Sequence, residues 1–215
     1  MKLLAFTLLM MTLFSFQKSG RYHTPPGTKA IGEDVYMFVF EVRNIDYQEF
    51  LFSIKDTETR RSNWPDATEW HKAYNSEYTH DSCWKDPAFR LSPVVGISYR
   101  QAIAYTDFLT KAVNSNYGSE QVYYQYRLPS KEEWLKMLSD NDELSWNDVL
   151  YPFEWSKKTS KKFVHLTDNV SEMLAEEGLA IGGNWQQRLE ANTISYTKPE
   201  SWLGFRVLCE VKVKK

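Results

Sequence analysis

The residues in this chain that could do chemistry are few and far apart. Its 215 residues include two cysteines, Cys83 and Cys209. They form no Cys-x-x-Cys pair and no clustered histidine follows either one, so the spacing disfavours a zinc site. In an oxidising compartment the two could pair, but one bridge does not make a disulfide scaffold, and the spacing leaves the pairing open. His23, His71, His80 and His165 are scattered, and no Gly-x-Ser-x-Gly elbow supports a serine nucleophile. The run Asp168-Asn169-Val170-Ser171-Glu172 concentrates hard oxygen donors. Asp168, Asn169 and Glu172 offer oxygens of the kind a hard cation takes, although such an ion needs about six to eight and few others can be named. The competing reading of this run is a short capped turn. Trp64, Trp70, Trp84 and Trp185 are candidates for the walls of a sugar or peptide groove, since aromatic faces serve that purpose. Tryptophans that pack a long loop against itself are the commoner case.

Those residues need elements to position them. Ser98-Tyr99-Arg100-Gln101 is a capping box, in which the serine hydroxyl and the glutamine side chain satisfy orphan N–H groups reciprocally. Ala102, Tyr105, Leu109 and Ala112 follow on one helical face. Ser130-Lys131-Glu132-Glu133 is a second box, with Trp134, Leu135 and Leu138 behind it. Val35 to Val42 reads as a strand, and Asn44 as the cap of a helix running to about Ile54. Residues 56 to 92 read as irregular. Gly182-Gly183-Asn184-Trp185 reads as a tight turn or bulge, and Gly204-Phe205-Arg206-Val207-Leu208 leads a terminal strand. Arg206 in that strand is expected to pair with a buried carboxylate. Helices and strands mix without a βαβ rhythm, which predicts an α+β fold.

The first residues address the compartment. Met1-Lys2 is a short positive start, and Leu3 to Phe14 is almost wholly apolar. That run falls short of the roughly 20 residues of a transmembrane helix and suits the apolar core of a signal peptide. Cleavage after Gln17 would place small Ser15 at the −3 position, so residues 1–17 are expected to be a leader and 22–215 one domain. A formal net charge of −2 gives no basic footprint for nucleic acid. An aromatic share of 15% argues against disorder.

Several segments recur in a telling order: Pro93-Val94-Val95-Gly96-Ile97-Ser98-Tyr99, Arg127-Leu128-Pro129-Ser130-Lys131-Glu132-Glu133-Trp134, Asp168-Asn169-Val170-Ser171-Glu172-Met173, Gly182-Gly183-Asn184-Trp185, and Leu203-Gly204-Phe205-Arg206-Val207. The set resembles the formylglycine-generating enzyme family, also called the sulfatase-modifying-factor family. The resemblance covers about residues 90 to 209, and it implies an irregular variant of the C-type lectin-like fold. Pro25-Pro26-Gly27-Thr28, Glu41-Val42-Arg43-Asn44 and Asp86-Pro87-Ala88-Phe89-Arg90 are similar to the gliding-motility and type IX secretion lipoproteins of Bacteroidetes, which carry this domain as a structural component. This chain is shorter than those proteins and has no lipid-attachment cysteine near its start.

The departures from the pattern carry the functional expectation. The resemblance implies, for the enzymes, two cysteines shortly after Gly-Gly-Ser-Trp/Tyr that bind copper as thiolates, and soft thiolate sulfur suits Cu(I). Here Gln186, Gln187 and Arg188 follow Trp185, and the next cysteine is Cys209. Ile181 stands where an arginine usually precedes Gly-Gly, and Ser171 and Met173 replace the aromatic residues around Glu172. In the family this last region helps to hold calcium. The expectation is a non-catalytic, exported domain with no firm cofactor other than the calcium candidate. It would sit in the periplasm or at the outer membrane, with no transmembrane helix after leader removal. Its partners would be envelope proteins, in gliding motility or type IX secretion. The alternatives are an oxidase of the formylglycine-generating type, or another enzyme on the same fold, and a carbohydrate-binding module.

Overall fold

Side-chain alternation builds the central sheet. The computed structural model describes residues 18–19, 22–75, 88–139, 162–188 and 192–214. Strands β3 (Thr28–Gly32), β4 (Val35–Phe38), β5 (Val122–Arg127) and β10 (Leu208–Val213) form an antiparallel sheet in the order β3-β4-β10-β5. Leu208 pairs with Met37, and Cys209 is flanked by Tyr36 and Tyr126. With a period of two, Tyr36, Tyr124, Tyr126, Cys209 and Val211 go to one core, and Ile31, Met37 and Leu208 to another. A short strand pair, β1 (Lys18–Ser19) with β2 (Tyr22–His23), precedes this sheet.

Each face of the sheet is covered by one of the two boxed helices. Helix α4 (Tyr99–Tyr117) buries Ala102, Tyr105, Thr106 and Val113. Its box forms as expected: Gln101 N–H donates to Ser98 Oγ, and Ser98 N–H donates to Gln101 Oε1. Helix α5 (Lys131–Ser139) sets Trp134 and Met137 against Met37, Phe163 and Ile181. Its box forms as well, between Ser130 and Glu133. Helix α1 (Asn44–Ser53) joins the first core through Tyr47, which stacks on Tyr105 at 5.8 Å, while Tyr105 meets Phe205 edge-on at 5.5 Å. Such ring pairs contribute about 0.5–1.5 kcal/mol beyond their burial.

A second sheet, ordered β8-β7-β6-β9, uses β6 (Ser171–Met173), β7 (Leu179–Ile181), β8 (Ile194–Ser195) and β9 (Leu203–Gly204). Strands β6 and β9 are parallel neighbours and the other pairs are antiparallel. The mixture of helices and strands without a βαβ repeat is the α+β arrangement that the sequence predicts.

Four local expectations need correction. The strand from Val35 ends at Phe38, because Val39 N–H turns to Gly27 O and Val42 N–H to Phe205 O. Arg43, not Asn44, caps α1: Asp46 in the first turn accepts from the Arg43 backbone N–H and from its guanidinium. Asn44 instead donates to Phe89 O. The stretch after residue 56 contains helices α2 (Thr57–Ser62) and α3 (Ala67–Tyr74), capped by Asp56 and Asp66. Residues 205–207 lie between β9 and β10, so Arg206 is in a link and not in a strand.

Candidate functional site

The ordered motifs converge on one buried cluster of charge. Arg206 has no solvent exposure and Glu172 has 1%. The Arg206 guanidinium donates to Glu172 through Nε at 2.9 Å and Nη2 at 2.7 Å, and to the carbonyls of Phe38 at 3.0 Å and Val164 at 2.8 Å. The second oxygen of Glu172 accepts from Trp134 Nε1 at 2.8 Å. The tryptophan that closes the second boxed motif, the glutamate of the Asp168–Met173 run and the arginine before β10 therefore meet at one carboxylate. Glu41 approaches Arg206 at 3.8 Å and accepts from Asn169 Nδ2 at 3.1 Å. His165 and Asp168 close the rim at 3.0 Å.

The electrostatics follow from two carboxylates sharing one arginine inside the protein. Burial opposes the charge on Arg206, but Glu172 and Glu41 together hold it above its ordinary range. For Glu41, burial dominates. It raises the pKa to about 7, with His165 and Arg206 pulling it down and Glu172 pushing it up.

The Gly182–Gln187 turn is tied to the same cluster. Ser171 Oγ donates to Gly182 O at 2.9 Å, and Asn184 Nδ2 donates to Ser171 Oγ at 2.9 Å. Asn184 Oδ1 then accepts from the N–H groups of Gln186 and Gln187, and a backbone bridge joins Asn184 to Gln187. Gly182 has φ +99°, and a Cβ there would lie 3.1 Å from the Trp134 ring and 3.2 Å from Leu166 O. Glycine is required for both reasons. The side chains of Gln186 and Gln187 stand exposed beyond this closed turn.

The metal hypotheses can be tested against these contacts. Glu172 engages Arg206 and Trp134, Asn169 faces Glu41, and Asp168 faces His165. Among the described residues no group of three or more His, Cys, Asp or Glu could hold a metal ion. Asp168, Asn169 and Glu172 already serve these protein contacts. Cys209 does not suit copper. Cys209 is a free thiol buried in β10, where burial pushes its pKa well above the ordinary range, and a reactive or ligating cysteine needs the thiolate. Cys83 lies outside the described residues.

The tryptophans separate into different roles. Trp70 has no exposed surface and packs on Tyr74 and Phe89, so it is a core residue and cannot wall a groove. Trp64 packs partly buried against the first core. Trp185 is half-buried and donates to Ser201 O. Trp84 lies outside the described residues. Trp134, which the sequence marks only as a helix core position, is the tryptophan that touches the charge cluster.

The pattern of the sulfatase-modifying factor enzyme 1-like domain matches residues 9–172, more than half of the chain. The chain belongs to this family. The matched residues include Trp134 and Glu172 of the buried cluster. No curated protein matches the chain. Among solved structures, a variable protein of Treponema denticola, variable protein 1, is similar in fold, with a TM-score of 0.54 at 13% identity over 82% of this chain and 84% of that one. The crystal structure of CarF aligns with a TM-score of 0.49 at 18% identity, over 90% of this chain and 88% of that one. In this sulfatase-modifying-factor domain, no helix among the described residues is long and apolar enough to cross a membrane.

Proposed function

We propose that this sulfatase-modifying-factor domain is exported, performs no oxidation, and acts by protein–protein contact in the cell envelope, in gliding motility or type IX secretion. The observation that carries the non-catalytic reading is the Asn184–Gln187 turn. Where the related enzymes begin their thiol-bearing segment, this chain places Asn184 as an internal cap and two exposed glutamines. Exposed amide side chains offer neutral donors and acceptors to a partner and no electron path to oxygen. The C-type lectin-like variant is the architecture we infer for the domain, and the periplasm or the outer-membrane surface its place. The apolar Leu3–Phe14 run supports export. The Pro25–Thr28 and Glu41–Asn44 segments support the likeness to gliding-motility and secretion proteins. The carbohydrate-binding alternative loses one of its groove candidates with the burial of Trp70.

The test is affinity purification of the tagged full chain from its native envelope after mild crosslinking, beside a deletion strain scored for secretion and gliding. Recovery of secretion or motility components, with impaired secretion or spreading in the deletion, is the expected result. A solitary protein and an unaltered strain would overturn the proposal.

A further inference from the structure

A cleft of about 100 Å³ opens between α1, α4 and the central sheet, and shares with the charge cluster Phe38, whose carbonyl accepts from Arg206. Its walls include Phe38, Phe108, Leu109 and Tyr126. Cavities on the order of 150 Å³ with such linings hold one benzene-sized ring, so this space suits a single ring or a short chain. One end is polar, formed by Arg43, Asp46, Glu49 and Tyr105.

The contacts at that end select the charge of an occupant. Arg43 is already used: Asp46 accepts from it at 2.8 and 2.9 Å, and its guanidinium lies 4.4 Å over the Phe40 ring. It is neutralised and held, so it is poorly placed to receive an anion. Glu49 is different. It is exposed at the mouth, and no hydrogen bond or ion pair joins it to the described residues. Tyr105 is 2% exposed, its ring is fixed by Tyr47 and Phe205, and its hydroxyl has no hydrogen-bond partner among the described residues. Counting Arg43 against Asp46 and Glu49, the polar end carries one net negative charge.

We infer that this cleft is a binding site for a small organic cation with an apolar body, the ring or chain lying between Phe38, Phe108 and Leu109 and the ammonium meeting Glu49 and the Tyr105 hydroxyl. Partial burial and the neighbouring Asp46 raise the Glu49 pKa while Arg43 lowers it, and a cation at the cleft mouth favours the charged carboxylate. The site is separate from the Asn184–Gln187 turn and does not depend on the reading of that turn.

Calorimetric titration of the full chain with 2-phenylethylamine at neutral pH tests the inference, with 2-phenylethanol and 3-phenylpropionate as neutral and anionic controls. The amine is expected to bind saturably and at least about tenfold more tightly than either control. Glu49→Gln, on an exposed helix position, should weaken it about tenfold, the size of a lost charge-assisted hydrogen bond. Ala112→Trp, which fills the cleft from α4, should abolish it, with thermal unfolding confirming that both variants fold. No saturable binding of the amine, equal binding of the three probes, or amine binding unchanged in either folded variant would each overturn it.

Discussion

Arg206 and Glu172 form an ion pair with no more than 1% exposure on either side chain, and this pair links the link before β10 to strand β6. Arginine suits the position because its planar fork serves a carboxylate and two backbone carbonyls at once. Removing either partner strands a charge in the interior, which costs about 3–5 kcal/mol. Glu172→Gln and Arg206→Met should each lower the urea midpoint by that order. The double variant Glu172→Gln/Arg206→Met should be less destabilised than the sum of the two, as measured by equilibrium denaturation.

Glu41 gives the protein a pH-dependent stability. Its folded pKa of about 7 lies above the ordinary value of 4.5, so folding takes up a proton between those limits. The associated stability is fully present below about pH 4.5 and is lost as pH rises through about 7. Arg206, Glu172 and His165 are the charged and titratable groups acting on it, and burial is the largest influence. The native protein should melt lower at pH 8 than at pH 5.5 by an amount equivalent to a few kcal/mol. Glu41→Gln should flatten that dependence, and calorimetry across the range checks it.

Gly182 should not tolerate a side chain. Alanine there would combine a left-handed φ with a close approach to Trp134, at about 1–3 kcal/mol. Gly182→Ala should lower the melting temperature and increase Trp134 fluorescence quenching by iodide, as the turn loosens over the ring.

Cys209 should be inert while the protein is folded. Its thiol is buried between Tyr36 and Tyr126 in the sheet. Iodoacetamide at pH 8 should leave the Cys209 peptide unmodified in native protein and label it fully in urea, as read by mass spectrometry.

Local chemistry was legible in the sequence and long-range partnership was not. Both serine boxes could be read because cap and helix lie within four residues, and they formed at Ser98 and Ser130. A carboxylate partner for Arg206 was expected on general grounds, since a buried arginine must be paired. That it is Glu172, 34 residues away, depends on how the second sheet packs. The aspartate caps at Asp56 and Asp66 were present but hidden, because the helices they start are only 6 and 8 residues long and carry little periodicity. Trp70 looked like a groove wall because an aromatic in a charged stretch has no visible partner. Tyr74 and Phe89 supply the packing, and only folding brings Phe89 to it. The cleft beside Glu49 was invisible, since its walls come from strands and helices distant in the chain.

The proposal that a closed Asn184–Gln187 turn stands where the related enzymes carry reactive thiols predicts a domain that binds and does not oxidise. The most direct measurement incubates the copper-supplemented full chain with a cysteine-containing peptide and oxygen, and follows the peptide by mass spectrometry. The account predicts that no formylglycine aldehyde forms. Aldehyde that appears with the native chain and is lost in Cys83→Ser or Cys209→Ser would contradict it.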